Sequence, residues 1–244
     1  MRVVRGVVIV SIVSVLAGAA ACGDSSGPGS GPVALLTNAA YVEYDTSDYA
    51  AEGSELQFTL KYLSFSVSPV TSIDSASLAT TLRASAALVV PEQEIGRLAP
   101  DLSAGAKYEM RRFVDSSGGR LIVHSDGAGR AFELLDTLFN YAIGAGAGSA
   151  TGRYPMNAAA VAGTSFASGP SFLWEADATY SMDSTSLPSG AKTIYQYPGA
   201  GVVVAVIPQG RGYVILLSYD WYNAAPHGVQ DGGWLQTLRS AVRY

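Results

Sequence analysis

Between Val33 and Ile143 short continuous apolar runs alternate with stretches of helical spacing, and that alternation leaves few folds open. Val33-Ala34-Leu35-Leu36-Thr37 opens the series, followed by Asn38. From Ala50 to Leu63 the residues Leu56, Leu60 and Leu63, with Phe58 and Tyr62, suit a helix. Ser66 to Val70 reads as a second strand and Ala86-Ala87-Leu88-Val89-Val90-Pro91 as a third, the two joined by a connection without clear period. Leu102 to Val114 is a helix halted at Ser116-Ser117-Gly118-Gly119, Arg120 to His124 a fourth strand, and Phe132 to Ile143 another helix. Runs this apolar are buried on both faces, as in a parallel sheet. An α/β fold is predicted, with right-handed crossovers and helices on both sides of the sheet.

The pattern changes after Ile143. A glycine-rich loop (144–152) precedes an aromatic, polar, turn-rich stretch from Tyr154 to Ser189, so a loop-rich insertion is expected at about 144–191. Thr193 to Tyr197, Val202 to Ile207 and Tyr213 to Ser218 then read as strands. The last two join through Pro208-Gln209-Gly210-Arg211-Gly212, which predicts an antiparallel hairpin extension. Trp234, Leu235, Leu238, Ala241 and Val242 share helical spacing in a final segment, Gly232 to Tyr244.

The first 21 residues belong to a different kind of sequence. Arg2 and Arg5 form a positive n-region, Val7 to Leu16 an apolar h-region, and Ala17 to Ala21 a small-residue cleavage region before Cys22, the one cysteine of the chain. The apolar stretch is too short for a transmembrane helix. It resembles the lipobox of bacterial lipoproteins, which implies a signal peptide over 1–21, lipidation at Cys22 and attachment to a bacterial membrane, the outer one in a Gram-negative host. Ala19-Ala20-Ala21 also satisfies an ordinary A-x-A export site. Residues 22–32 are rich in Gly, Ser and Pro, the composition of a flexible tether, and they favour the lipidated reading. With Cys22 acylated, no thiol remains for a disulfide, a nucleophile or a metal.

Without Arg2 and Arg5, 13 basic residues face 20 acidic ones, a formal charge of −7. That balance, with no Lys/Arg cluster, excludes a nucleic-acid partner. With 48% apolar residues, the span from residue 33 to 244 holds ample material for one domain.

Candidate site residues gather where strands end. The stretch 117–129, SGGRLIVHSDGAG, runs from a strand through a tight turn towards a helix, the place where α/β folds expose free N–H groups to ligands. His124, Ser125 and Asp126 stand at that turn. Ser125 overlaps partly with a G-x-S-x-G nucleophile elbow, with Val123 in place of the first glycine, and a helix N-cap by Ser125 or Asp126 is the plainer reading. A hydrolytic triad could be assembled only from Ser125, His227 as base and Asp220 or Asp231; otherwise His227 is a loop histidine. Metal-binding motifs are absent: there is no H-E-x-x-H, no D-x-D-x-D-G and no His pair at ligand spacing. Neither glycine-rich loop completes a phosphate or dinucleotide fingerprint, so no cofactor is expected. The string 212–222, GYVILLSYDWY, delivers Asp220, Trp221 and Tyr222 to the end of a buried strand, either as turn cap and core or as a binding ledge.

VALLTN near the start, AALVVPEQE in the middle, YEMRRFVDSSGGRLIVHSD and the closing GRGYVILLSYDWY together resemble the class I glutamine amidotransferase-like superfamily. The likeness covers about Val33 to Tyr141 and Lys192 to Tyr244, and is strongest to non-catalytic exported bacterial members. It implies a three-layer flavodoxin-like sandwich. It also implies a catalytic cysteine at the turn after Leu121 to His124 and a late His-x-Glu pair. Here Ser125 and Asp126 occupy the turn, and Gly228 and Val229 follow His227. The expectation is therefore a tethered, non-catalytic domain that binds a small molecule, glycan or envelope protein. Its ligand candidates are Asn38, His124, Ser125, Asp126, Asp220, Trp221 and Tyr222. A serine hydrolase and an assembly module contacting partners through the insertion are the alternatives.

Overall fold

The computed structural model of the protein describes residues 31–48, 50–146, 153–174, 180–197 and 201–244. The leader, Cys22 and most of the tether lie outside the described residues, as do 147–152 of the glycine-rich loop.

The chain runs β1 (Val33–Leu36), α1 (Glu52–Tyr62), β2 (Val67–Val70), α2 (Ser75–Ala84), β3 (Ala87–Val90), α3 (Leu98–Asp101), α4 (Ala104–Asp115), β4 (Arg120–His124) and α5 (Arg130–Phe139). The insertion contains β5 (Arg153–Pro155), α6 (Ala158–Val161), β6 (Phe172–Trp174) and two 3₁₀ turns. Last come β7 (Lys192–Tyr197), β8 (Gly201–Gln209), β9 (Gly212–Leu217) and α7 (Trp234–Val242). Seven strands form one sheet in the order β2-β1-β3-β4-β9-β8-β7, parallel from β2 to β9, with β8 antiparallel to both neighbours. The expected α/β sandwich with a mainly parallel sheet and a C-terminal antiparallel pair is what the protein adopts.

Strand periodicity divides the core in two. Leu36, Val90, Val123 and Leu216 face α2, α4 and α5, and share one cluster with Leu78, Met110 and Leu134. Leu35, Val89, Ile122 and Ile215 face the other way, packing with Leu56 and Leu60 of α1 and with Trp234 and Leu238 of α7. Both faces are apolar because both are covered.

Three details depart from the sequence reading. The connection after β2 is a helix, α2, capped by Asp74, whose carboxylate accepts from the amides of Ala76 and Ser77. Helix α5 ends at Phe139, earlier than Ile143, because Asn140 adopts a left-handed conformation (φ 59°). The hairpin turn is shorter than its loop-like sequence. Gln209 pairs with Gly212, leaving Gly210 and Arg211 as the turn, and Gly210 has φ 56° with the Asp115 backbone where a Cβ would stand. Among the described residues no helix is long and apolar enough to cross a membrane.

Candidate functional site

The adjacent parallel strands β3, β4 and β9 all end at the same edge of the sheet, and the residues just beyond them build one acidic pocket. Glu92 and Glu94 follow β3, Asp126 follows β4, and Asp220 follows β9. Together with Glu43, Gly127, Ala128, Arg130 and Tyr180 they line a cavity of about 330 Å³. A larger cavity of about 400 Å³ lies along β2 and α2, but its lining contains no titratable side chain.

Glu52, at the first position of α1, is not part of this lining but stands next to Glu92 and Asp220, and the three form an acidic floor beneath the pocket. One carboxylate oxygen each from Glu52, Glu92 and Asp220 lies within 4.8 Å of the others. Glu52 and Glu92 are buried, so each negative charge suffers from lost hydration and from its neighbours. Burial, then Asp220 and Glu94, raises Glu52 to about 9. Burial, then Glu52 and Asp220, raises Glu92 to about 11. Glu94 is also raised, by burial and by Glu43, with Arg130 opposing. Left alone at neutral pH, the floor therefore retains protons. Glu52 hydrogen-bonds to Glu92 and Asp220, and outside this group no partner reaches Glu52 Oε2 or Glu92 Oε1.

The turn after β4 serves structure and lines the pocket at once. Asp126 accepts from the amides of Ala128, Arg130 and Ala131, and so caps α5. Ser125 is buried, its Oγ 3.0 Å from the Tyr180 carbonyl oxygen and 2.8 Å from Ser218 Oγ. Gly127 allows Tyr180 to lie over this turn, since a Cβ there would stand 2.5 Å from the Tyr180 ring. Arg130 reaches across to donate to the Gln93 carbonyl and is the cationic side chain on the pocket wall.

Of the residues singled out from sequence, Asp126 and Asp220 line the pocket, Asp220 also accepting from the Tyr222 amide at 2.7 Å. His124 and Trp221 are in the core, joined by a hydrogen bond from Trp221 Nε1 to His124 Nδ1 at 2.9 Å. Tyr222 is exposed, and Asn38 accepts locally from the Ala40 amide. His227 stands 2.9 Å from Oε2 of the buried Glu55 and against the Phe58 ring. Asp231 caps α7 through the amides of Gly233 and Leu235. Ser125 and His227 thus have different hydrogen-bond partners, and the described geometry does not join them in a triad. Sequence reasoning passed over Glu43, Glu52, Glu92 and Glu94. Glu92 could have been found, because it follows the apolar run 86–91 just as Ser125 follows 120–124.

No protein-family model and no curated protein matches the sequence. Solved structures do. A protein from Bacteroides uniformis described as ThuA-like superposes with a TM-score of 0.56 at 12% identity, covering 91% of this chain and 94% of that one. A protein from Thermoplasma acidophilum described as a GMP synthase component gives 0.51 at 11% identity, covering 87% and 92%. A cytoplasmic protein from Salmonella typhimurium gives 0.53 at 8% identity, covering 86% and 98%. At these identities the likeness is one of fold. The chain shares the flavodoxin-like α/β fold of these proteins.

Proposed function

We propose that the protein is a lipid-anchored, non-catalytic amidotransferase-like domain of the bacterial envelope that binds a small molecule or glycan in its acidic strand-end pocket. The observation that carries this is the pocket itself: five carboxylates and one guanidinium line it, and no cysteine accompanies them. Amidotransferase chemistry requires a thiolate, and the chain's one cysteine lies in the leader region. Carboxylates suit ligands that donate from hydroxyl or amino groups, as sugars and amino sugars do.

Titration of the full chain with glucosamine and short chito-oligosaccharides, followed by calorimetry, tests the binding reading. Saturable heat that falls at least tenfold in affinity in Glu94→Gln and Asp220→Asn is expected, and absence of heat in the parent protein counts against it. The anchor has its own check. Mass spectrometry of the membrane fraction should find a mature N-terminus at Cys22 carrying acyl chains, and an unmodified soluble product beginning there removes the anchor.

A further inference from the structure

Three carboxyl groups meet at one point either by keeping protons or around a counter-charge, and among the described residues no counter-charge sits at the centre of this group. Glu52, Glu92 and Asp220 bring oxygens within 4.8 Å of one another. Arg130 turns its guanidinium to the Gln93 carbonyl. A second observation points to an outside partner. Glu52 and Glu92 are 6% and 5% exposed and hydrogen-bond only within the acidic group, so that no donor from the rest of the protein reaches Glu52 Oε2 or Glu92 Oε1. Buried oxygens left unsatisfied call for a ligand or a proton donor that the protein does not provide. The site is also reachable, since Glu92 and Asp220 form part of the wall of the 330 Å³ cavity, which has room for the waters that complete a metal's coordination.

We infer that Glu52, Glu92 and Asp220 form a binding site for a hard divalent cation, calcium in preference to magnesium. The donor set is all oxygen, which excludes soft metals. Calcium takes six to eight oxygens in flexible geometry, whereas magnesium demands a near-ideal octahedron, keeps several of its waters and uses one or two carboxylates. Three converging carboxyl groups, two of them buried, suit calcium on that ground. Glu94 and Glu43 on the pocket wall add negative potential that draws a cation inward. The inference deepens the binding reading above and rests on it for the pocket's role, because a calcium ion held on the floor would offer its open positions to sugar hydroxyls.

The test uses the full chain, purified in detergent and stripped with EGTA, and reads thermal unfolding against added calcium or magnesium chloride. Calcium at a hundredfold excess over its Kd should raise Tm by about 5–10 °C, with magnesium doing less. Glu92→Gln should melt at or above the stripped parent, since it relieves repulsion, and lose the calcium response. Asp220→Asn, which keeps the Oδ1 that accepts from Tyr222, should lose it as well. No shift in the parent at millimolar calcium overturns the site, as does a shift of equal size in both variants. Repeating the sugar titration in EGTA separates the two readings: sugar binding that survives chelation while calcium has no effect sinks the cation site alone.

Discussion

His124 is neutral at pH 7, and the reason lies in its surroundings. The ring is fully buried at the end of β4 with Trp221 donating to Nδ1, and loss of water holds its pKa at about 3 against an ordinary 6.5, the Tyr219 backbone offsetting part of the drop. The unfolded chain takes up a proton below about pH 6.5 and the folded one does not until about pH 3. Stability owed to His124 is therefore complete above pH 6.5 and is lost as pH falls through that window, by about 1.4 kcal/mol per pH unit. In His124→Asn, whose Oδ1 can still accept from Trp221, this loss should vanish. The stability difference between parent and variant, measured by urea unfolding from pH 7 to pH 4, should shift steadily in the variant's favour, and parallel profiles would refute the assignment. Neither the burial nor the Trp221 partner was legible at His124 itself, because the two residues are 97 positions apart. Separation along the chain likewise hid the acidic floor. Glu52, Glu92 and Asp220 come from three separate segments, and no spacing rule could have united them. His227 is the loop histidine its sequence suggests, and its partner, the buried Glu55 on α1, was hidden because it lies 172 positions away.

At the scale of elements, hydrophobic period carried most of the information. β1, β3, β4, β8 and β9 are continuous apolar runs because each is buried on both faces, and such runs stand out in any sequence. α2 did not stand out. Its sequence SASLATTLRA is rich in Ser and Thr, which hydrogen-bond the backbone outside helices as readily as within them. What makes it helical is the Asp74 cap and the burial of Leu78 and Leu82, four residues apart, against the sheet-facing core. The turn after β4 was ambiguous between Ser125 and Asp126, and geometry separates the two roles. Asp126 takes the amides of Arg130 and Ala131 at the start of α5 and that of Ala128 just before it, and a carboxylate there is favoured by the helix dipole. Ser125 lies one residue too early for that task and ties the end of β4 to Ser218 after β9.

The whole molecule uses its insertion as a layer of the core, which its turn-rich sequence concealed. Tyr154, Val161, Phe166 and Leu173 are buried in the same cluster as Trp234 and Leu238. Single anchors of this kind leave no period in a sequence, so residues 154–174 read as loops although they fold over the sheet. Trp234 is where the parts meet. It stacks on Tyr219 with ring centroids 4.8 Å apart and an interplanar angle of 15°, and its Nε1 donates to the Trp174 carbonyl at 3.0 Å. Ser165 donates to the Ser240 carbonyl at 2.6 Å, a second tie between the insertion and α7. Removing the indole deletes a large buried side chain and leaves the Trp174 carbonyl without this donor, a loss of about 3–5 kcal/mol from the roughly 5–15 kcal/mol that keeps a domain folded. Trp234→Ala should lower Tm by roughly 6–20 °C. Because α7 and the two-stranded β5–β6 sheet share this anchor, hydrogen exchange should accelerate in both together, with β1 and β3 protected. Faster exchange in α7 alone would mean that the β5–β6 sheet holds its place without Trp234, and that the insertion is an independent unit laid on the main sheet rather than part of its core.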